Sequence, residues 1–247
     1  RSSSLLEDSH YQPFAGIYST YMVPYNKVSR TQTLSLLTEA IKAVYASVYF
    51  QQSKLYMTAT KNVIDEEKMA IVIQEVVGHQ YGDVFYPHIS GVAQSYNYYP
   101  FAHMKPEEGF AVAALGLGKF VVDGGSAYRF SPVYPAVEIV TPKDLYKNSQ
   151  VKFLAVDLAK FDVNLLEGEM ACLREMDIDE AESHGTLRHL ASVYDRENQR
   201  LIPGITTPGP RVVNFSNVLK YDYCPMAKTI EVVLDIVKEA MGTPVEI

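Results

Sequence analysis

Met69-Ala70-Ile71-Val72-Ile73-Gln74-Glu75-Val76-Val77 and, further on, Ala114-Leu115-Gly116-Leu117-Gly118-Lys119-Phe120-Val121-Val122-Asp123-Gly124-Gly125 are the stretches that decide the fold. The first is dense in Ile and Val, which predicts a buried-type strand over 68–77 that ends near the amide of Gln74. The second leaves an alternating strand pattern at 110–115, turns at Gly116-Leu117-Gly118 and resumes a strand pattern at 120–122. A Gly-x-Gly turn invites a dinucleotide-binding reading. The third glycine is missing at its interval and no helix signal follows, so a Rossmann site is rejected.

Working outward, residues 1–26 read as loop and turn around Pro13 and Gly16. Leu34, Leu37, Ile41, Val44, Val48 and Leu55 recur at helical intervals with no Gly or Pro between them, predicting a helix over 33–57. Aromatic residues crowd 78–106: Tyr81, Phe85, Tyr86, Tyr96, Tyr98, Tyr99 and Phe101. With no basic residues interleaved, they read as packing rather than a stacking platform for bases. Further strands are expected at 136–140 and 151–158, a charged helix over 167–188, and an extended Pro/Gly-rich connection over 201–210. A last helix is expected over 223–241, with Asp222 as N-cap, Pro225 in the first turn and Gly242 as the stop. Its predicted inner face is Met226, Ile230, Val233, Val237 and Met241. Strands and helices intermix without regular βαβ alternation, so the fold class is α+β rather than a doubly wound sheet.

Composition narrows the function. The chain has 247 residues, enough to bury a substantial core, and a net charge of −7 with no Lys/Arg cluster. That argues against a nucleic-acid module, although a bound polyphosphate needs only one or two well-aimed cations. Cys172 and Cys224 fit neither a disulfide framework nor a metal-ligand spacing. The histidines (His10, His79, His88, His103, His184 and His189) show no metal spacing. No signal peptide or transmembrane run is present, so a soluble cytoplasmic protein without a membrane partner is expected. The chain opens on Arg1 without a Met, and Thr243-Pro244-Val245-Glu246-Ile247 reads like the start of a strand. Residues 1–247 are therefore expected to be one domain fragment, truncated at both ends.

Arg1-Ser2-Ser3-Ser4, Glu7-Asp8, Phe14-Ala15-Gly16 and Thr20 follow one another in a particular order. They resemble the N-terminal PEP/pyruvate-binding, nucleotide-binding domain of the pyruvate phosphate dikinase and phosphoenolpyruvate synthase family, which has an ATP-grasp-like fold with mixed or antiparallel sheets and packed helices. The strand ending at Gln74, the Gly-Leu-Gly turn, Pro208-Gly209-Pro210-Arg211-Val212-Val213 and the closing Pro244-Val245-Glu246-Ile247 continue the likeness nearly end to end. Two places depart from it. After Ser90-Gly91-Val92 the chain reads Ala93-Gln94-Ser95-Tyr96-Asn97-Tyr98-Tyr99, and Lys119 replaces an acidic residue common after Gly-Leu-Gly. Within the family these departures point to a divergent, synthase-like branch.

The resemblance implies ATP and Mg2+ as cofactors and an ATP-dependent phosphotransferase of the pyruvate, water dikinase kind. A mobile His would be phosphorylated in a separate swivelling domain of the same polypeptide, so none of the histidines here inherits that role. The phosphoryl group would then pass to pyruvate, giving phosphoenolpyruvate, and the isolated fragment is expected to be inactive. Arg1 would contact the polyphosphate as the catalytic cation, since a guanidinium presents fixed donors and stays charged. Gly16 would let backbone N–H groups approach a phosphate and Thr20 would add a hydroxyl donor. Gln74 would offer the nucleotide's base or ribose a donor and an acceptor at once. Glu246 would ligate the metal, because Mg2+ prefers hard oxygens. Two other readings remain open: a related dikinase or antibiotic phosphotransferase with another acceptor, and a non-catalytic nucleotide-sensing or interaction module of the same fold.

Overall fold

A computed structural model describes residues 1–4, 16–25, 28–60, 68–101 and 103–247. The chain divides into two units, 1–86 with 155–174 and 87–154 with 175–247. Its elements, in chain order, are β1 (Ser2–Ser4), α1 (Arg30–Ser47), α2 (Gln51–Thr60), β2 (Met69–Ile71), β3 (His79–Tyr81), β4 (Val84–Tyr86), β5 (Ser90–Gln94), β6 (Phe110–Ala114), α3 (Lys119–Val122) and β7 (Tyr128–Phe130). They continue with α4 (Pro142–Asn148), β8 (Lys152–Asp157), β9 (Leu173–Asp177), α5 (Ile178–Ser183), β10 (Ala191–Asp195), β11 (Arg200–Pro203), β12 (Arg211–Val213), α6 (Ser216–Leu219) and α7 (Met226–Met241). Every register assigned between paired strands is antiparallel, which agrees with the expected α+β class.

In the first unit the helix expected over 33–57 is two helices. Ser29 caps α1 by accepting the Gln32 N–H. The chain then tightens, with Val48, Tyr49 and Phe50 donating to carbonyls three residues back. Two buried hydroxyls hold the break: Ser47 Oγ donates to Val44 O at 2.6 Å and Ser53 Oγ donates to Ser47 O at 2.6 Å. Side-chain donors replace the backbone donors that would have continued the helix. The inner face turns accordingly. Leu36, Ala40 and Ala43 pack with Leu165 and Cys172, while Leu34 and Leu55 are exposed. Of the expected face, Val44 and Val48 are buried and Leu37 and Ile41 half-buried. Burial pushes the Cys172 thiol up to about 11, which keeps it protonated and unreactive.

The β3–β4 hairpin of the first unit closes at Gly82-Asp83 and pairs through Val84 and Phe85 with Asp157 and Val156. Arg174 clamps this corner, its guanidinium bonding Asp83 and Asp157 together. Arg174 holds the Asp83 carboxyl below its ordinary range.

In the second unit β5, β6 and β7 form one sheet and β11, β10 and β12 another. At the end of β6, the buried side chain of Gln150 pairs with Leu115 like a short piece of strand. Its Oε1 accepts the Leu115 N–H at 2.8 Å and its Nε2 donates to Leu115 O at 2.9 Å and to Lys152 O at 2.9 Å. Gly116 follows at φ +88°, and a Cβ there would lie 2.8 Å from Leu154 O and 2.9 Å from Phe153 Cβ. The glycine is required both by its conformation and by the close passage of β8.

Several expected elements are corrected here. Residues 119–122 are a single helical turn, and 136–140 forms no strand. The charged stretch 167–188 contains strand β9 before the short helix α5, whose Asp177 and Glu180 cap it reciprocally. Asp222 does not cap α7, which starts one residue after Pro225, whereas Gly242 ends it in the left-handed conformation as expected. Only Leu234 of that helix is fully buried; Val233 and Met241 of the expected face are exposed.

Gly116→Ala is expected to cost about 3 kcal/mol, from left-handed strain of about 1–2 kcal/mol plus overpacking against β8. Gly124, at φ +78° with nothing within 4 Å of its added Cβ, isolates the conformational part. Gly124→Ala should cost only about 1–2 kcal/mol. Urea denaturation of the two variants measures the difference.

Candidate functional site

In the first unit the short β1–β2 ladder organises the expected contacts. Ser2 pairs with Ile71, and the register runs on one step to Arg1 and Val72. The Arg1 ammonium donates to Val72 O at 2.9 Å and Arg1 O accepts the Val72 N–H at 2.9 Å. The strand expected over 68–77 is Met69–Ile71 here, and the residues after it are largely open, Ile73 at 60% and Val77 at 84% exposure. Gln74 sits exposed, two residues beyond the rung that holds Arg1, instead of closing a buried strand. Arg1 and Gln74 thus flank one end of the same ladder.

Gly16 is exposed at φ +80°, with no heavy atom of the described residues within 4 Å of an added Cβ. Its neighbours Phe14 and Ala15, together with Glu7, Asp8, His10 and Pro13, lie outside the described residues. The Thr20 N–H donates to Glu169 Oε1 at 2.7 Å, which fixes the backbone here. Its hydroxyl has no partner among the described residues. Tyr21, next along, has its phenol raised by burial and further by the Glu169 charge.

In the second unit the end of the chain joins the β5 edge. Ala93 and Ile247 exchange backbone hydrogen bonds of 3.0 and 2.9 Å, and the Ser95 N–H donates to Val245 O. This makes Glu246 the rung opposite Gln94, and Gln94 Nε2 donates to Glu246 Oε2. Gln94 stands opposite Phe110, and Val112 opposite both Val92 and Arg129. Since opposed residues share a face, Glu246, Gln94, Phe110, Val112 and Arg129 all lie on one side of this sheet. The Arg129 guanidinium carbon lies 3.8 Å from the Phe110 ring centroid and its Nη2 donates to Asn97 Oδ1 at 2.8 Å. Burial pulls the Arg129 pKa below its ordinary value.

The other side of the sheet is apolar. Ala93, Ala111 and Phe130 line a groove of about 580 Å³ with Met226 and Ile230 of α7. The hydroxyls along it are engaged, Ser90 with Gly116 O and Thr229 with Pro225 O, and no cation lines it. A polyphosphate has nothing to bind there. The face bearing Glu246 and Arg129 holds both signs of charge.

Among the described residues no three or more His, Cys, Asp or Glu side chains gather as a metal cage. Mg2+ needs only one or two carboxylates when substrate phosphates and water complete its shell, and Glu246 on an open sheet edge fits that role. His103 packs edge-on to Tyr134, and His189 stacks on Tyr223 while accepting from Arg188 Nε. Those two rings are packing residues.

The model of one protein family, pyruvate phosphate dikinase, AMP/ATP-binding domain, matches residues 1–247. The chain belongs to this family. No curated protein matches it. Membership makes the chain the AMP/ATP-binding part of a dikinase-like protein, in the setting of ATP-dependent phosphoryl transfer. No helix among the described residues is long and apolar enough to cross a membrane.

Sequence reasoning missed Arg129 and Asn97. Nothing in a single Arg inside Tyr128-Arg129-Phe130 marks it; only the register with Val112 and the fold of 95–101 bring it against Phe110. Asn97 lies within Gln94–Tyr99, one of the two stretches that depart from the family pattern.

Glu169→Ala should destabilise the protein by about 1–3 kcal/mol, since it strands the Thr20 N–H. Thr20→Val, which keeps that bond and removes only the hydroxyl, should stay within about 0.5 kcal/mol of the wild type. Thermal melts of both variants check the pair.

Proposed function

We propose that this chain is the ATP-gripping domain, ATP-grasp-like in architecture, of a phosphoenolpyruvate synthase-like phosphotransferase. The observation that carries the reading is the AMP/ATP-binding family match along residues 1–247. In this reading the whole span acts as one nucleotide-binding domain in a cytoplasmic enzyme. With water as co-reactant, ATP phosphorylates a mobile His in a swivelling domain of the same polypeptide, AMP leaves, the remaining phosphoryl unit is released to water as phosphate, and the phosphoryl group on His passes to pyruvate to give phosphoenolpyruvate.

The roles assigned to individual residues follow from their chemistry. Arg1, whose backbone is pinned to Val72, supplies positive charge to the polyphosphate. Gly16 and Thr20 offer backbone and hydroxyl donors to phosphate, Thr20 from a backbone already fixed by Glu169. Gln74, exposed beyond β2, hydrogen-bonds the base or ribose. Glu246 would hold Mg2+, with Gln94 orienting its carboxylate. Bound there, the metal would neutralise phosphate charge as it is transferred. The domain contributes positioning and charge neutralisation rather than covalent chemistry.

Calorimetry with ATP tests the binding part of this reading. Gln74→Leu should weaken ATP by about 1–3 kcal/mol with little change in melting temperature, because the amide is exposed and supports nothing around it. Equal affinities would reduce Gln74 to an exposed connector.

In the polypeptide that carries the acceptor His, Arg1→Ala should slow ATP-dependent phosphorylation by at least about tenfold, as loss of a charge-assisted contact costs about 1.5–3 kcal/mol. An unchanged rate removes Arg1 from the site. ATP binding without any phosphoryl transfer would favour the sensing module.

A further inference from the structure

Arg129 is set up in a way that its surroundings alone do not explain. It is half-buried on β7, one face of its guanidinium lies on the Phe110 ring, and Nη2 is held by Asn97. Asn97 is itself fully buried and doubly fixed. Its N–H donates to Pro106 O at 2.7 Å, and its Oδ1 also accepts the Tyr99 N–H at 3.1 Å. The loop is therefore folded so that a neutral amide oxygen, not a carboxylate, meets the guanidinium. Among the described residues Arg129 makes no ion pair, although the chain carries 29 acidic against 22 basic side chains. The comparably placed Arg174 and Arg211 both hold carboxylates.

A partly desolvated cation left without a counter-charge costs free energy that an anion would recover. The aromatic ring and the amide fix the direction of the guanidinium and leave its remaining N–H groups for a ligand, the fork geometry suited to phosphate. Glu246 lies on the same sheet face, three strand spacings of roughly 4.8 Å across and two residues along, within the combined reach of two long side chains and a metal-bound polyphosphate.

We propose that Arg129 is a phosphate-binding residue for the polyphosphate of the bound nucleotide, aimed by Phe110 and Asn97. The proposal rests on the nucleotide-binding reading above and adds to it a residue, a clamp and a function for the unusual 94–99 segment. Asn97 is a positioning residue in this arrangement, because it acts through Arg129.

The test is calorimetric titration of ATP and adenosine into wild-type protein, Arg129→Gln and Asn97→Asp. Arg129→Gln should weaken ATP at least tenfold and leave adenosine within twofold. Asn97→Asp changes one atom and supplies the missing carboxylate 2.8 Å from Nη2. It should also weaken ATP at least tenfold, while its melting temperature stays level or rises because a partly buried ion pair has formed. A purely structural role for Arg129 could not give weaker binding together with undiminished stability. Equal losses for ATP and adenosine, or unchanged ATP affinity in Asn97→Asp, would overturn the assignment of Arg129 while leaving the nucleotide reading intact. Failure of the wild-type protein to bind ATP would overturn both.

Discussion

The second unit is organised around a single buried amide. Where β6 ends, the backbone of Leu115 would leave an N–H and a C=O inside the protein with no strand to meet them. Gln150 supplies both partners from its side chain and also bonds Lys152 O at the start of β8. Burying such groups unpaired costs about 1–3 kcal/mol each, so the amide decides whether the chain can turn here at all. With it in place, the Gly116 turn lies against β8, Leu117 N–H reaches Leu154 O, and α3 follows at once. The β5–β6–β7 sheet then has a fixed end from which its two faces are defined, one apolar and one bearing charge.

That separation of faces governs the chemistry. The apolar side borders a groove shared with α7, and the hydroxyls along it are spent on backbone carbonyls. The opposite side carries Glu246, Gln94 and Arg129, drawn from three separate parts of the chain into neighbouring rows. In the first unit a much smaller ladder does the corresponding work, holding the Arg1 backbone against Val72 and ending before Gln74. The acidic character of the chain sharpens the contrast between cations neutralised inside the protein and those that are not.

Much of this was legible in the sequence, and the failures have physical causes. Strands β6 and β8 stood out because alternating or continuous apolar runs reflect burial directly. The last helix was visible by period and by Gly242, although of its expected inner face Val233 and Met241 are exposed and Met226, Ile230 and Val237 only half-buried. The helix over 33–57 was read as continuous because periodicity does not register two serine hydroxyls competing with the backbone. The apolar run 68–77 predicts a buried strand, yet only Met69–Ile71 pairs, with β1, and Ile73 and Val77 lie exposed, which apolar density alone does not register. Strand β9 was hidden by charge: Arg174 and Glu175 look like a solvated helix until Asp83, Asp157 and Lys152 are brought beside them. The family resemblance points to Glu246 as a metal ligand, and only the register shows that Gln94 stands opposite it.

The closing segment has one more effect. A three-stranded sheet has outer strands whose free N–H and C=O groups can recruit a strand from another molecule. On the β5 side those groups are taken up by Val245 and Ile247, and the Ser95 hydroxyl receives the Val245 N–H as well. The segment that presents Glu246 therefore also shields this border against strand-to-strand aggregation, so a change that loosened it would threaten solubility as well as ligand binding.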